Sequence, residues 1–312
     1  MDNIKLSVCI LCYNHENYIR KCIQSVVDQV VNFNYEIIVS DDCSTDGSVK
    51  IIREFENKYP KNIKAIYRKK NIGGSLNFKL IHSLAKGKYI ANIDGDDYAN
   101  PGKLQRQVEI LENNSDCVIC THDMVIVNNY DILVRSSFKR FKSGKYSLSD
   151  LYANLPFFCN SSKMYVNDYE YNFPPSLTDS FIDIELHVHQ VMKGKIFHID
   201  ECLGGYRAQT GVSSTTKSVN STLINSTKKV FHKGFANSEL NKKELRKNYS
   251  LAFLKYAYQS AILGDYKGLR ENINESKIYG YSSFQHFIFT IISLIPFVLV
   301  FLCRFRAKIK GY

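Results

Sequence analysis

The chain contains neither a G-x-G-x-x-G run nor a G-x-x-x-x-G-K-[ST] run, so the glycine-rich loops that cradle phosphates in dinucleotide-binding proteins and P-loop enzymes are missing. It has no internal repeat and no low-complexity tract. No leader is visible at the amino terminus, where Met1-Asp2-Asn3 runs straight into an apolar stretch. With an odd count of nine cysteines, this leads us to expect reduced thiols in a cytosolic compartment. Acidic residues are the minority sign: Lys and Arg number 41 against 30 Asp and Glu, a net charge of +11, which asks for an anionic partner. Nucleic acid is not expected, because no basic stripe is interleaved with aromatics. Arg304, Arg306, Lys308 and Lys310 instead follow directly on an apolar run, a pattern suited to a membrane surface.

What is present is ordinary globular material, 45% apolar and 23% charged, in 312 residues, enough for a large α/β domain with additions. Leu6 to Leu11 is a continuous apolar run that suits a strand buried on both faces. Ile19, Cys22, Ile23, Val26, Val27 and Val30 then form one helical stripe. Glu36 to Val39 and Ile63 to Tyr67 read as further strands. Between them Ser44-Thr45-Asp46-Gly47-Ser48 offers capping groups to a helix through Val49, Ile52, Phe55 and Tyr59. A helix is expected from about Ser75 to Ala85, a strand from Tyr89 to Ile93, and another helix from Pro101. Strands alternating with helices predict a mostly parallel sheet covered on both faces, with ligands beyond the carboxyl ends of the strands. The Ser/Thr/Asn-rich stretch from Gln209 to Thr227 reads as a flexible loop and boundary.

Three of those strand ends carry polar clusters: Tyr13-Asn14, Asp41-Asp42, and Asp94-Gly95-Asp96-Asp97. Carboxylates gathered there would repel one another unless a cation or a hydrogen-bonded ligand sits among them. A small hard cation held by one or two carboxylates and completed by diphosphate oxygens answers that need. Asp41-Asp42-Cys43-Ser44 also fits a plain turn whose carboxylates cap the next helix. The acidic loop is not a helix-loop-helix calcium site, whose further ligands and closing Glu are absent. Two C-x-x-C pairs, Cys9/Cys12 and Cys117/Cys120, fall in strand-like runs. Residues three apart on a strand face opposite sides and cannot share one zinc ion. His187 and His189 point in different directions on a helix, and His122, after a strand, is read as a structural or site-lining residue.

Ser7 to Asn14, Tyr35 to Gly47 and Gly87 to Asp97, in that order, resemble the family 2 glycosyltransferases with the GT-A fold. The resemblance is dense from Leu6 to about Glu112 and returns from Asp183 to Val212. It implies a mostly parallel Rossmann-like sheet and a bacterial surface-polysaccharide type of enzyme. Such an enzyme would be an inverting hexosyl- or N-acetylhexosaminyltransferase that moves a sugar from a nucleotide-sugar, by preference a UDP-sugar, to a saccharide or lipid-linked saccharide acceptor. Carried over by position, Tyr13 would stack on the base with Asn14 beside it, Asp42 would hydrogen-bond the base, and Asn71 and Asn77 would lie near the ribose and diphosphate. Asp96 would bind a divalent metal, Mn2+ or Mg2+, with Asp94 toward the ribose and Asp97 in support. Asp183, eleven residues before Gly194-Lys195, would be the catalytic base, with Asp179 and Glu185 as rivals. Arg207 would reach the diphosphate from a loop. Cys12 and Ala99 depart from the common family pattern and bear on donor specificity. A nucleotidyltransferase of related topology and a non-catalytic membrane scaffold are the alternatives.

The expected organisation is a nucleotide-sugar-binding half at 1–120, an acceptor and catalytic half at 121–215, a helical extension at 216–282 and a membrane-associating segment at 283–312. Phe287 to Cys303 carries no charge; as a helix its seventeen residues would span about 25 Å, against a hydrocarbon core of about 30 Å. Pro296 would break it, so an interfacial or re-entrant helical hairpin on the cytoplasmic face of the inner membrane is expected, or else a buried packing or oligomer helix.

Overall fold

The computed structural model describes residues 4–174, 177, 180–208 and 218–309. The amino-terminal half alternates as the apolar pattern requires: β1 (Leu6–Cys12), α1 (Ile19–Val27), β2 (Tyr35–Asp41), α2 (Ser48–Lys58), β3 (Ile63–Tyr67), α3 (Gly74–His82) and β4 (Tyr89–Asp94). There follow β5 (Tyr98–Ala99), α4 (Lys103–Asn113), β6 (Cys117–Val127), β7 (Leu133–Arg135), β8 (Gly144–Tyr146), α5 (Leu148–Ala153), β9 (Met164–Val166), α6 (Tyr169–Asn172), α7 (Asp183–Val191) and β10 (Lys195–Arg207). The carboxy-terminal part is helical: α8 (Ser221–Ala236), α9 (Lys242–Leu263), α10 (Tyr266–Ser276), α11 (Phe284–Ile292) and α12 (Pro296–Ile309).

Among the described residues the strands form one sheet, ordered β3-β2-β1-β4-β9-β6-β10-β5, with β7 beside β6 and β8 beside β10. β3, β2, β1 and β4 are mutually parallel, β9 runs antiparallel between β4 and β6, and β10 is parallel to β6. Register places the strand ends that matter side by side: Cys12 lies opposite Asp41, and Leu11 opposite Asp94. One edge of the sheet therefore collects the three polar clusters, as parallel order requires.

β1 has apolar neighbours on both faces, and Leu6, Val8, Cys9 and Ile10 are fully buried. On α1, Ile19, Cys22, Ile23 and Val26 are fully buried, at about 1.5–3 kcal/mol for each large aliphatic side chain. Val30, expected on the same stripe, is 87% exposed. The helix has closed by then, with the Asp28 N–H returning to Gln24 O at 2.9 Å. The helix expected from Pro101 begins at Lys103 instead, because Gly102 takes a left-handed conformation (φ 84°) that interrupts it. His122 lies within β6 rather than after a strand. Both C-x-x-C pairs stand on strands as expected, and burial pushes all four thiols above their ordinary range.

The chain divides into two compact units, Met1–Leu148 with Pro156–Gly211, and Ser149–Leu155 with Val212–Tyr312. The boundary expected at 120/121 falls inside β6. Of the stretch read as a flexible loop, Gln209 to Lys217 lie outside the described residues, while Ser221 to Thr227 open α8, capped by Asn220, whose side chain accepts from the Thr222 N–H at 2.8 Å. In the second unit Ala257 and Ala261 of α9 pack on Leu269 and Ile273 of α10 and on Leu299, Val300 and Cys303 of α12. The expected break is present: α11 stops at Ile292 and Pro296 opens α12, where its missing N–H costs nothing. No described helix is long and apolar enough to cross a membrane.

Candidate functional site

At the carboxyl ends of β1 and β2 the loops are stitched together by side chains. Tyr13 stands 38% exposed beyond β1, available to a flat ring. Asn14, at a left-handed φ of 56°, accepts at Oδ1 from Thr45 N (2.8 Å) and donates its own N–H to Ser44 Oγ (2.9 Å), so it clips the two loops to each other. Asp41 behaves as a turn residue, accepting from Ser44 N at 2.9 Å. Asp42 is buried and spends both carboxylate oxygens on the next loop, accepting from Ile72 N and Gly73 N, each at 2.9 Å. Asn71 accepts from the same Gly73 N–H at 3.1 Å. Asn77 is fully buried on α3; its Oδ1 accepts from Ser40 Oγ (2.6 Å) and from Arg68 Nε (3.2 Å), so it orients Arg68.

The acidic loop leaves β4 through a tight bend. Gly95 donates to Leu11 O at 2.8 Å, and a Cβ at this position would meet that oxygen at 2.6 Å and His15 Nδ1 at 2.8 Å. Gly95→Ala should therefore lower stability by about 1–3 kcal/mol through overpacking, read as a lower denaturant midpoint with an unchanged slope. Asp97 is buried, accepts from the Arg207 N–H at 2.8 Å through Oδ1, and keeps Oδ2 without a hydrogen-bond partner. Its carboxyl is held well above the usual range by burial and by the charges of Asp96 and Asp94. The Asp94 carboxyl is pushed up to about 7, first by burial and then by the charges of Asp96 and Asp183. Asp183 thus stands close enough to Asp94 to repel it, although far away in sequence.

Asp183 is the first residue of α7, and its Oδ1 accepts from Ile184 N at 2.8 Å. Burial raises its carboxyl, and the Lys163 charge partly offsets the rise. Glu185 is buried two residues on, in the first turn of the same helix, and Asp179 lies outside the described residues. His187 and His189 have separate surroundings: the first packs on Phe158, and the second meets Tyr171 O at 2.7 Å. His122 is buried and bonds the Asp123 carbonyl through Nδ1 at 2.7 Å.

Arg207 is not on a loop. It is the last residue of β10, 3% exposed, with Nε donating to Asp96 O (3.0 Å), Nη1 to Asn128 O (2.7 Å) and Nη2 to Asp131 Oδ1 (2.6 Å), over the ring of Tyr18. Its fork props the acidic loop from behind.

Sequence reasoning missed Lys163. This residue is fully buried just before β9, its Nζ has no hydrogen-bond partner, and the rings of Tyr165 and Phe78 lie 4.8 and 5.7 Å away. Burial pushes its amine down to about 7, with the Asp183 and Asp94 charges pulling the other way. Lys103, also missed, is buried and donates to Ser161 O at 2.8 Å, while Ser161 Oγ accepts from Asp94 N at 3.0 Å. Neither lysine belongs to a motif: Lys163 is a lone cation after Ser161-Ser162, and Lys103 stands among the ordinary polar residues of α4, three before Arg106.

Among the described residues no three His, Cys, Asp or Glu side chains enclose an ion by themselves. The donor set still suits a hard cation that takes only one or two protein carboxylates: mutually repelling, buried carboxyls and an orphaned Asp97 Oδ2 are groups a cation would satisfy.

Comparison with known proteins gives the family and the fold. Residues 7–171 match the family described as glycosyl transferase family 2. An uncharacterised Mycobacterium tuberculosis protein, Rv1520, is 33% identical over 204 residues, 65% of this chain and 58% of its own length. The putative teichuronic acid biosynthesis glycosyltransferase TuaG of Bacillus subtilis is 34% identical over 110 residues, 35% of this chain and 43% of its own. The chain thus spans only about half the length of these relatives. The crystal structure of S. aureus TarS 1-349 in complex with UDP-GlcNAc matches with a TM-score of 0.64 at 18% identity, over 99% of this chain and 92% of that one, which shows a GT-A-like fold. With the family match running over more than half its length, the chain belongs to glycosyl transferase family 2.

Proposed function

We propose that this chain is an inverting glycosyltransferase that moves a hexosyl or N-acetylhexosaminyl group from a UDP-sugar to a saccharide or lipid-linked saccharide acceptor of a cell-surface polymer, at the cytoplasmic face of the inner membrane. The observation that carries the reading is that Asp96 and Asp183 both raise the Asp94 carboxyl at the end of β4, a strand end that register sets beside those of β1 and β2. The names of TuaG and of the TarS complex with UDP-GlcNAc support the polymer class and the donor.

In this reading Tyr13 receives the base, and Asp42 and Asn71 hold the loop at Ile72 and Gly73 against it. Asp96, with Asp97 in support, would hold Mn2+ or Mg2+, which when bound supplies charge neutralisation for the departing nucleoside diphosphate, while Asp94 would face the ribose. Arg207 fixes the acidic loop through Asp96 O and, by its N–H, through Asp97. Asp183 takes the proton of an acceptor hydroxyl as that oxygen bonds to the anomeric carbon. The bond to the diphosphate breaks on the opposite face and its electron pair leaves with the nucleotide, so the centre inverts. Burial makes Asp183 a stronger base than an exposed carboxylate.

The test is titration calorimetry of purified protein with a panel of nucleoside diphosphates and their sugars, with and without Mn2+ or Mg2+. UDP should bind roughly tenfold or more tightly with metal, and Asp96→Ala should lose that gain. Failure of every nucleotide to bind, or an Asp96→Ala protein with normal metal-dependent binding, would overturn the reading.

A further inference from the structure

The carboxy-terminal hairpin carries large apolar side chains on its outer side as well as its inner one. On α11 the buried side chains are polar, His286 and Thr290, with His286 Nε2 meeting Ser276 Oγ at 2.8 Å, while Phe289 and Ile292 pack partly buried on the α9–α10–α12 cluster. Phe284, Phe287 and Ile291 of the same helix face outward, Phe284 at 75% exposure. On α12, Leu299, Cys303 and Ala307 recur every four residues on the buried side. Phe297, Phe301 and Phe305 recur at the same spacing two residues out of step, about 200° around the helix, and all three are exposed. Leu294, in the turn between the helices, is 80% exposed. Water does not stabilise such faces, and exposed apolar surface of this kind marks a binding surface.

Charge and length decide what covers it. From Lys277 to Tyr312 the chain has Lys277, Arg304, Arg306, Lys308 and Lys310 and not one Asp or Glu. A groove just before α11 adds Lys243, Arg246 and Lys247 with Tyr279 and Tyr281, and Glu244 also lines it. Apolar aromatics flanked by cations, with tyrosines beside them, complement an anionic lipid surface. At ~1.5 Å per residue, the nine residues of α11 and fourteen of α12 reach about 14 and 21 Å, short of the ~30 Å hydrocarbon core, and neither helix is long and apolar enough to cross it.

We infer that the outward face of the α11–α12 hairpin lies in the plane of an anionic bilayer, with Phe284, Phe287, Leu294, Phe297, Phe301 and Phe305 seated among the acyl chains and Lys277, Arg304 and Arg306 at the headgroups. This deepens the membrane part of the proposed function and does not depend on its donor chemistry.

Cosedimentation of the full chain with vesicles tests it, with UDP binding measured on the same samples. Wild type should bind vesicles of mixed phosphatidylcholine and phosphatidylglycerol, bind pure phosphatidylcholine far more weakly, and release as salt rises. The triple substitution Phe297→Ser, Phe301→Ser, Phe305→Ser removes exposed rings only, so it should keep its melting temperature and UDP binding while losing vesicle partition by roughly tenfold or more per ring. Undiminished partition by the triple variant would overturn the inference. So would a wild type that ignores vesicles but forms an oligomer, seen by light scattering, that the triple variant dissociates; the face would then meet a second copy of the chain. Loss of UDP binding with vesicle binding intact would strike the donor reading alone.

Discussion

Asp183→Asn is expected to lower turnover by roughly 10²–10⁴-fold while leaving UDP-sugar affinity nearly unchanged. The substitution keeps the size of the side chain and an oxygen that can still accept from Ile184 N, so α7 should start where it does now. What disappears is the ability to take a proton. Steady-state kinetics with saturating acceptor would read the loss in kcat, and calorimetry would read the donor affinity. A variant that loses donor binding instead would remove Asp183 from the role of base and place it in the donor site.

The pH profile adds a second, independent reading. Burial raises the Asp183 carboxyl, and only its ionised form accepts a proton. Wild-type turnover should therefore climb as pH rises through that elevated value, and the climb due to this group should vanish in Asp183→Asn. Stability moves the other way. A carboxyl whose folded pKa lies above its unfolded value binds more protons folded than unfolded, so stability falls as pH rises from the unfolded value through the folded one. Asp183→Asn should then be at least as stable as wild type at neutral pH. Product of retained configuration from wild type would contradict the single displacement itself.

Much of this was legible because the relevant signals are local. The apolar run Leu6 to Leu11 needs no partner to be recognised as a strand buried on both faces. Parallel order alone predicts that Cys12, Asp41 and Asp94 meet at one edge, as the register shows. What escaped was set by distant contacts. Arg207 has the side chain of a phosphate binder, and nothing nearby in sequence reveals that the carbonyls of Asp96 and Asn128 and the carboxylate of Asp131 occupy its fork. Asn77 likewise orients Arg68 from a buried position, because β2 and α3 bring Ser40 and Arg68 to it. Val30 continued a periodic stripe on paper after the helix had closed at Asp28. Lys163 was invisible for the same reason: its aromatic cage comes from α3 and β9, and the carboxylates that act on it come from β4 and α7.

Lys163→Met should stabilise the fold at about pH 6 and shift the acid limb of turnover upward. The amine sits fully buried without a hydrogen-bond partner, and burial pushes it down to about 7, against about 10.4 in an unfolded chain. Between those values the unfolded chain binds the extra proton, so this residue's contribution to stability rises with pH through that window. Below it the folded state carries a buried ammonium at a cost on the order of a few kcal/mol. Methionine fills similar space without that cost, so its advantage should be largest near pH 6 and fade toward pH 10, measured as the difference in unfolding free energy. The same replacement removes the cation that lowers the Asp183 carboxyl. Asp183 should then ionise only at higher pH, moving the rise in turnover with it. If the variant melted lower at every pH and left the acid limb in place, Lys163 would be holding structure by contact alone. If both shifts occurred together, the buried amine would be setting the basicity of Asp183 at a cost to the fold, with stability given up where the base is tuned.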